Sequence, residues 1–228
     1  MNIVFLLKSA FVIAFSLVTV SVTPVMAESQ VIAPSNFETS KQLLRDKLAR
    51  LNFFTADFTQ EVVSESGELL EQSSGNLAIS KPNLANWHTQ KPDELAIISD
   101  GNDVWFYNPW IEQVSVYSLS SAIAKTPILL LTSKDELLWQ QYDVTQINNR
   151  FVISAKDPNS QIKSLTLVFA VDEHNIQTSH LSQFSFLDAT GQVSHIKLSN
   201  FNIYKVLSES LFKFMVPEGV QVDDQRAN

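Results

Sequence analysis

The chain has 228 residues, with 16 Lys plus Arg against 24 Asp plus Glu and a formal net charge of −8. Nucleic acids and anionic membrane surfaces bind clustered Lys and Arg, so this charge balance argues against both kinds of partner. The chain has no cysteine, which excludes a disulfide framework and leaves its stability to a hydrophobic core.

The first 27 residues have the pattern of an export signal. Lys8 precedes an uncharged stretch, Ser9–Ala27, which contains a helix breaker at Pro24 and ends in a small residue. The pattern predicts cleavage after Ala27, so that residues 28–228 form one mature domain outside the cytoplasm. A retained membrane anchor is the alternative, and the Ser and Thr residues within the stretch argue against it.

An amphipathic helix is predicted next. Ser35 and Glu38 have the spacing of a capping box, and Leu44 and Leu48 follow on one helical face. The spacing predicts a helix from about Asn36 to Leu51.

From Phe54 onwards the hydrophobic pattern has a period of two, which indicates strands that are buried on one face. Turn signals such as Lys81-Pro82-Asn83 and Asp100-Gly101-Asn102 separate the segments. Short strands with tight turns predict an antiparallel sheet that curves into a barrel or sandwich. The predicted strands begin at residue 54 and continue at 75–80, 84–89, 94–99, 103–108, 112–117, 139–146, 150–155, 161–171, 176–187, 192–204 and 212–216.

Two short apolar helices are predicted to interrupt the strands, over Ser118–Lys125 and Thr126–Leu131. Pro127 suits the first turn of the second helix. Because their apolar residues must be buried, we expect both helices to cover the concave face of the curved sheet. The predicted fold class is therefore α+β, mainly β with helices.

The sequence lacks the motifs of the common enzyme classes, such as a Gly-x-Ser-x-Gly elbow, a His-Glu-x-x-His pair or a phosphate-binding glycine loop. The four histidines are scattered, Asp223-Asp224 is interpreted as a solvated tail, and Asp100–Asp103 as a hairpin turn rather than a calcium loop. We therefore expect a binding protein, with no catalytic residue, metal or cofactor.

Six motifs stand in order between Lys41 and Arg226. They are Phe54–Gln60, Gly75–Leu77, Lys81–Trp87, Val104–Pro109, Trp139–Tyr142 and Pro217–Arg226. In this combination they resemble the LolA family, the periplasmic carriers of outer-membrane lipoproteins.

The resemblance implies an incomplete antiparallel β-barrel, or strongly curved sheet, covered by a lid of short helices. It implies a soluble periplasmic carrier that takes acylated lipoproteins from an inner-membrane ABC transporter and delivers them to an outer-membrane receptor. The acyl chains would lie in an apolar cavity, without a cofactor on the carrier. We expect a monomer, the simplest state for a shuttle.

Pattern and resemblance together indicate which apolar side chains contact lipid in the cavity and lid. Ordinary core packing is the alternative at each position, because aromatic residues dominate cores generally. The expected lipid-binding residues are Phe54, Phe58, Leu77, Ile79, Leu84, Trp87, Ile97, Trp105, Tyr107, Trp110, Leu119, Ile123, Leu129 and Leu130.

Two positions depart from the family pattern. Where the family commonly has an arginine that resembles a latch onto lid carbonyls, this chain has Lys81, which lacks the guanidinium fork and predicts a weaker latch. An exposed turn lysine is the alternative. Ala85 replaces a larger apolar residue, which predicts a wider cavity there.

Three other functions are alternatives for this sequence. A lipid- or lipoprotein-sensing regulatory domain has a similar fold, but its known forms resemble this domain plus a second one. The outer-membrane receptor resembles the carrier but is lipid-anchored, which a chain without cysteine does not allow. An enzyme with a site assembled from scattered residues would have no recognisable catalytic spacing.

Overall fold

The computed structural model of the protein describes residues 34–123, 126–172, 175–204 and 207–226. The predicted export signal and its cleavage site at Ala27 lie outside these ranges. Within them, no helix is both long enough and apolar enough to cross a membrane.

One sheet of twelve strands forms the body of the described domain. The strands occur in the spatial order β12-β6-β5-β4-β3-β2-β1-β11-β10-β9-β8-β7, and all neighbours are antiparallel except β12, which runs parallel to β6. The strands are β1 (Phe53–Val63), β2 (Leu69–Ser80), β3 (Leu84–Lys91), β4 (Leu95–Asp100), β5 (Asp103–Asn108), β6 (Gln113–Ser118), β7 (Tyr142–Ile147), β8 (Arg150–Ala155), β9 (Ile162–Asp172), β10 (Asn175–Asp188), β11 (Val193–Asn202) and β12 (Gln221–Asp224).

The sheet curves but does not close, because β12 and β7 stand at opposite ends of the strand order. An open sheet of this many strands normally curls or splits. The curl gives a concave face and a convex face. The predicted incomplete barrel is confirmed.

The concave face carries the main core. In β1, Phe54, Ala56 and Phe58 alternate with more exposed residues, and each is at most 3% exposed. Strand pairing places Phe54 opposite Ile79 and Ala56 opposite Leu77. The period of two in the sequence therefore selects the buried face, since alternate side chains point to the same side of a strand.

Helices fill the concavity, as predicted. Helix α1 (Pro34–Ala49) buries Leu44 and Leu48, and the short helix α2 (Leu119–Ile123) buries Ala122 and Ile123. A 3₁₀ turn over Pro127–Leu131 follows. Its buried leucines belong to the same apolar cluster as the concave face of β1 and β2.

One predicted strand begins too early. The sequence pattern predicts a strand from Trp139, but Trp139 ends a one-turn helix, α3 (Glu136–Trp139), and the strand begins at Tyr142. Asp135 Oδ1 accepts hydrogen bonds from the backbone N–H groups of Leu137 and Leu138, an N-cap that competes successfully with the strand propensity of the segment.

The C-terminal prediction is also wrong in two places. Residues 212–216 are not a strand, because a 3₁₀ turn over Glu209–Phe212 precedes a segment without regular structure. Asp223 and Asp224, expected in a solvated tail, belong to edge strand β12, which pairs with β6. The parallel pairing joins distant parts of the chain and leaves no local signal in the sequence.

This C-terminal segment packs on the convex face. The Phe214 ring stacks on Trp105, with 5.5 Å between ring centroids, and Asn86 Nδ2 donates to the carbonyl oxygen of Leu211 at 2.7 Å. Arg226 pairs with Asp103 at the start of β5, at 2.9 Å. The segment thus shields a second apolar cluster on the side of the sheet away from the helices.

Strands β2 and β3 approach closely at Gly75. A Cβ at this position would lie 1.9 Å from the backbone oxygen of His88, and backbone cannot move aside cheaply. We expect Gly75→Ala to lower the free energy of unfolding by at least about 3 kcal/mol, measured by urea denaturation. Gly67→Ala is the control, because Gly67 has open space and only a positive φ, with an expected cost of about 1 kcal/mol. Equal stability of the two variants would contradict the close approach.

Candidate binding cavity

A cavity of about 580 Å³ opens at one end of the concave face. Its mouth lies at the β3–β4 turn, beside the start of β2 and the end of β5. Antiparallel pairing brings these strand ends together on one side of the sheet. The lining residues are Gln60, Glu71, Ser73, Trp87, Thr89, Pro92, Asp93, Glu94, Leu95, Ile97, Phe106, Asn108, Thr126, Ile128, Phe184 and Phe186.

Trp87 is the centre of the apolar wall. Its ring lies 4.0 Å from the Phe58 ring and 6.1 Å from the Phe184 ring, measured between centroids. The indole Nε1 donates to Thr89 Oγ1 at 3.1 Å. Because its single polar atom is satisfied within the wall, Trp87 presents only apolar surface to a ligand.

Strand register extends this wall across the sheet. Trp87 pairs with Ile97, and Ile97 pairs with Phe106, so the three side chains form one row on the concave face. All three are partly buried and pack against the core cluster. Ile128 contributes to the cavity from the 3₁₀ turn. This turn, α1 and α2 form the helical cover of the concave face, so both the sheet and the helical cover line the cavity.

The mouth is polar and acidic. Glu71, Asp93 and Glu94 line it and are exposed to solvent. None of the described lining residues is Lys or Arg. Apolar groups therefore form the interior, and negative charge surrounds the entrance.

Lys81 lies at the other end of the strands, in the β2–β3 turn. Its ammonium donates to the backbone carbonyl of Leu48 in α1, and its backbone N–H donates to Asn52 O at 2.8 Å. Burial of the ammonium, followed by repulsion from Lys134, lowers the pKa of Lys81 to about 8. The sheet is thus joined to α1 by a cation that is partly withdrawn from water.

A second link joins α1 to α3. Arg45 Nη1 lies 2.7 Å from Glu136 Oε2, and Nη2 also bonds to Oε1. Arg45, Glu136, Lys81 and Lys134 all line a groove of about 440 Å³ between α1 and the segment that follows the 3₁₀ turn. Polar contacts at its edges therefore hold the cover in place around a buried apolar interior.

Ten of the fourteen expected lipid-binding residues lie on the concave side, and they fall into three groups. Trp87 and Ile97 line the cavity directly. Leu119 is partly buried against the core. The remaining residues on the concave side are at most 8% exposed and pack between sheet and helices, namely Phe54, Phe58, Leu77, Ile79, Ile123, Leu129 and Leu130.

Four expected residues lie away from the cavity. Trp105 and Tyr107 contact Phe214 on the convex face, with ring centroids 5.5 and 5.3 Å apart, and Leu84 shares that face because it alternates with the buried Ala85. Trp110 is 72% exposed in a 3₁₀ turn. Aromatic residues occupy both faces of β5, so the sequence pattern does not reveal which of them face the cavity.

Five apolar residues of the wall are not among those expected from the sequence: Leu95, Phe106, Ile128, Phe184 and Phe186. Pairing between β4 and β5 would have identified Phe106, since it lies opposite Ile97. Such pairing is a long-range property that a single strand does not reveal.

Within the described residues, no group of three or more His, Asp or Glu side chains is placed to hold a metal ion.

Comparison with known proteins identifies the family. Residues 49–215 match the family model described as outer membrane lipoprotein carrier protein LolA.

Curated relatives with the name outer-membrane lipoprotein carrier protein match most of the chain. The Aeromonas salmonicida protein is 39% identical over 183 residues, which are 80% of this chain and 88% of the relative. The Psychromonas ingrahamii protein is 39% identical over 188 residues, or 82% and 89% of the two chains. The Aliivibrio salmonicida protein is 40% identical over 184 residues, or 80% and 89%. The chain belongs to the LolA family of outer-membrane lipoprotein carrier proteins.

Proposed function

We propose that this protein carries acylated lipoproteins through the periplasm. It takes them from an inner-membrane ABC transporter, holds their acyl chains in the concave cavity and passes them to an outer-membrane receptor. The observation that carries the proposal is the aromatic cavity between the curved sheet and its helical cover, in a chain whose relatives are named lipoprotein carriers. The role is transport, not catalysis.

The physical need for such a carrier follows from hydration. An acyl chain exposed to water costs about 0.8 kcal/mol per methylene. A lipoprotein with several acyl chains therefore remains in its membrane unless a protein supplies apolar surface in exchange. The row of Trp87, Ile97 and Phe106 supplies such surface at the open end of the sheet.

The helical cover gives the cavity room to grow. Its volume of about 580 Å³ lies within the range of roughly 300–1,000 Å³ that suits one drug-sized ligand. Several acyl chains need more, and they gain it if the 3₁₀ turn and the short helices move away from the sheet. The residues they now cover, including Phe54, Leu129 and Leu130, then become ligand surface.

Lys81 acts in this proposal as the latch that holds α1 against the β2–β3 turn. The ammonium contacts one carbonyl and remains close enough to Lys134 to be repelled by it. Such a contact is weak enough to exchange. A weak latch suits a carrier that must release its cargo without a cofactor.

In the direct experiment, the purified protein without its predicted export signal is added to spheroplasts that hold a radiolabelled outer-membrane lipoprotein. We expect label to leave the membrane as a soluble complex of one carrier with one lipoprotein. If the folded protein leaves all the label in the membrane, although the transporter in the spheroplasts works with the control carrier, the carrier role is contradicted. A carrier already shown to work with the same spheroplasts is the positive control.

Ile97 and Ile98 provide a matched pair of variants, because they are neighbours on β4 that face opposite sides of the sheet. We expect Ile97→Asp to weaken binding of monolauroylglycerol by at least about tenfold, because a carboxylate then stands in the apolar wall. Displacement of the neutral dye Nile red measures the binding. Ile98 pairs with Trp105 on the convex side. Ile98→Asp should therefore change the affinity for monolauroylglycerol by less than about twofold, once both variants are matched for folded fraction. Equal losses would contradict the assignment of the cavity face.

Lys81 predicts a dependence of ligand exchange on pH. Its pKa is about 8 in the closed form, and an exposed lysine titrates near 10.5, so raising the pH removes the proton from the closed form first and favours closure. We expect the rate of Nile red exchange to fall severalfold from pH 7 to pH 9, less than the roughly tenfold of an unscreened group.

Lys81→Arg is the control for this titration. Arginine stays charged throughout this range and donates through a fork, so we expect slower exchange at pH 7 and no fall up to pH 9. An exchange rate that matches the wild type at both pH values would show that Lys81 is not a latch.

A further inference from the structure

We propose that the carboxylates at the cavity mouth make the site selective for acyl chains on an uncharged or cationic anchor, and that they exclude anionic amphiphiles such as free fatty acids. This inference rests on the proposed function and specifies the class of cargo that the same cavity accepts. Glu71, Asp93 and Glu94 are the residues that we assign to this role.

The three carboxylates line one cavity although they come from two separate segments of the chain. Glu71 lies near the start of β2, and Asp93 and Glu94 lie in the β3–β4 turn, where the same ends of the strands meet. All three are exposed and line the cavity. A head group attached to a chain in the cavity must therefore sit among them.

Neighbouring cations compensate this charge only in part. His88 Nε2 lies 2.9 Å from Glu94 Oε1, but histidine is charged only when protonated. Lys91 precedes the turn and is exposed, but it is not a lining residue. Among the residues that the structure describes, Glu71 and Asp93 have no ion-pair partner.

The wall supplies a second, independent indication of what the cavity accepts. Thr126 lines the cavity and is only 6% exposed, yet its hydroxyl Oγ1 has no hydrogen-bond partner within the described part of the chain. A buried, unpaired hydroxyl is unfavourable. The ester or amide carbonyl that links an acyl chain to a neutral anchor is an acceptor that would satisfy this hydroxyl if it bound beside Thr126.

The expected size of the selectivity follows from Coulomb's law. At roughly 8 Å in water, three carboxylates together disfavour one anionic head group by about tenfold in affinity at low ionic strength. Salt reduces this factor because the groups are exposed. The same charges do not oppose a neutral head group and attract a cationic one.

Three probes with one chain length isolate the head group: laurate, monolauroylglycerol and lauroylcholine. Their affinities for the exported, purified protein are measured by Nile red displacement at low ionic strength and below their micelle concentrations. We expect laurate to bind about tenfold more weakly than monolauroylglycerol, and lauroylcholine to bind at least as well. In E71Q/D93N/E94Q, the difference between laurate and monolauroylglycerol should fall below about twofold.

The control variant E61Q/E209Q/E218Q removes the same charge at exposed positions outside the cavity lining and should keep the selectivity of the wild type. Equal binding of all three probes by the wild type would overturn the selectivity and leave the carrier role intact. So would a preference that survives in E71Q/D93N/E94Q or disappears in the control variant. If no probe displaces the dye, the cavity is not a lipid site, and the proposed function fails together with this inference.

Discussion

The structure depends on one constraint: the concave face of an unclosed sheet is strongly apolar and must be kept from water. A closed barrel would bury that face by itself. Here β7 and β12 remain separate edges, so helices α1 and α2 and the 3₁₀ turn provide the missing surface. A cover that is not part of the sheet can be displaced without breaking strand pairs, and this separates the stability of the sheet from the accessibility of its interior.

The division of labour between the two faces follows from the same constraint. The convex face has its own apolar residues, and the C-terminal segment covers them through Phe212 and Phe214 before β12 joins the edge of the sheet. That contact covers the convex face without using the helices of the concave side. Movement can then be confined to the concave side, where the contacts at the edge of the cover are polar and include Lys81 and Arg45.

Much of the fold could be predicted because its signals are local. The predicted helix agrees with α1 to within two residues at each end, although α1 begins at Pro34, before the expected cap Ser35, and the period of two located most strands with small boundary errors. The site was harder to predict. Strand β5 has aromatic residues at three successive positions, so parity alone could not show that Phe106 faces the cavity while Trp105 and Tyr107 do not. Strand β12 was missed because a parallel pair between distant segments depends on tertiary structure.

Photo-cross-linking tests most directly whether acyl chains occupy the concave cavity. A photoreactive phenylalanine is placed at Phe106 or at Trp105, adjacent positions on opposite faces of β5, in a carrier loaded with a lipoprotein that bears radiolabelled acyl chains. The structure predicts labelled cross-links from position 106 and few from position 105. Equal labelling from both positions, or labelling from position 105 alone, would contradict the assignment of the cavity as the lipid site.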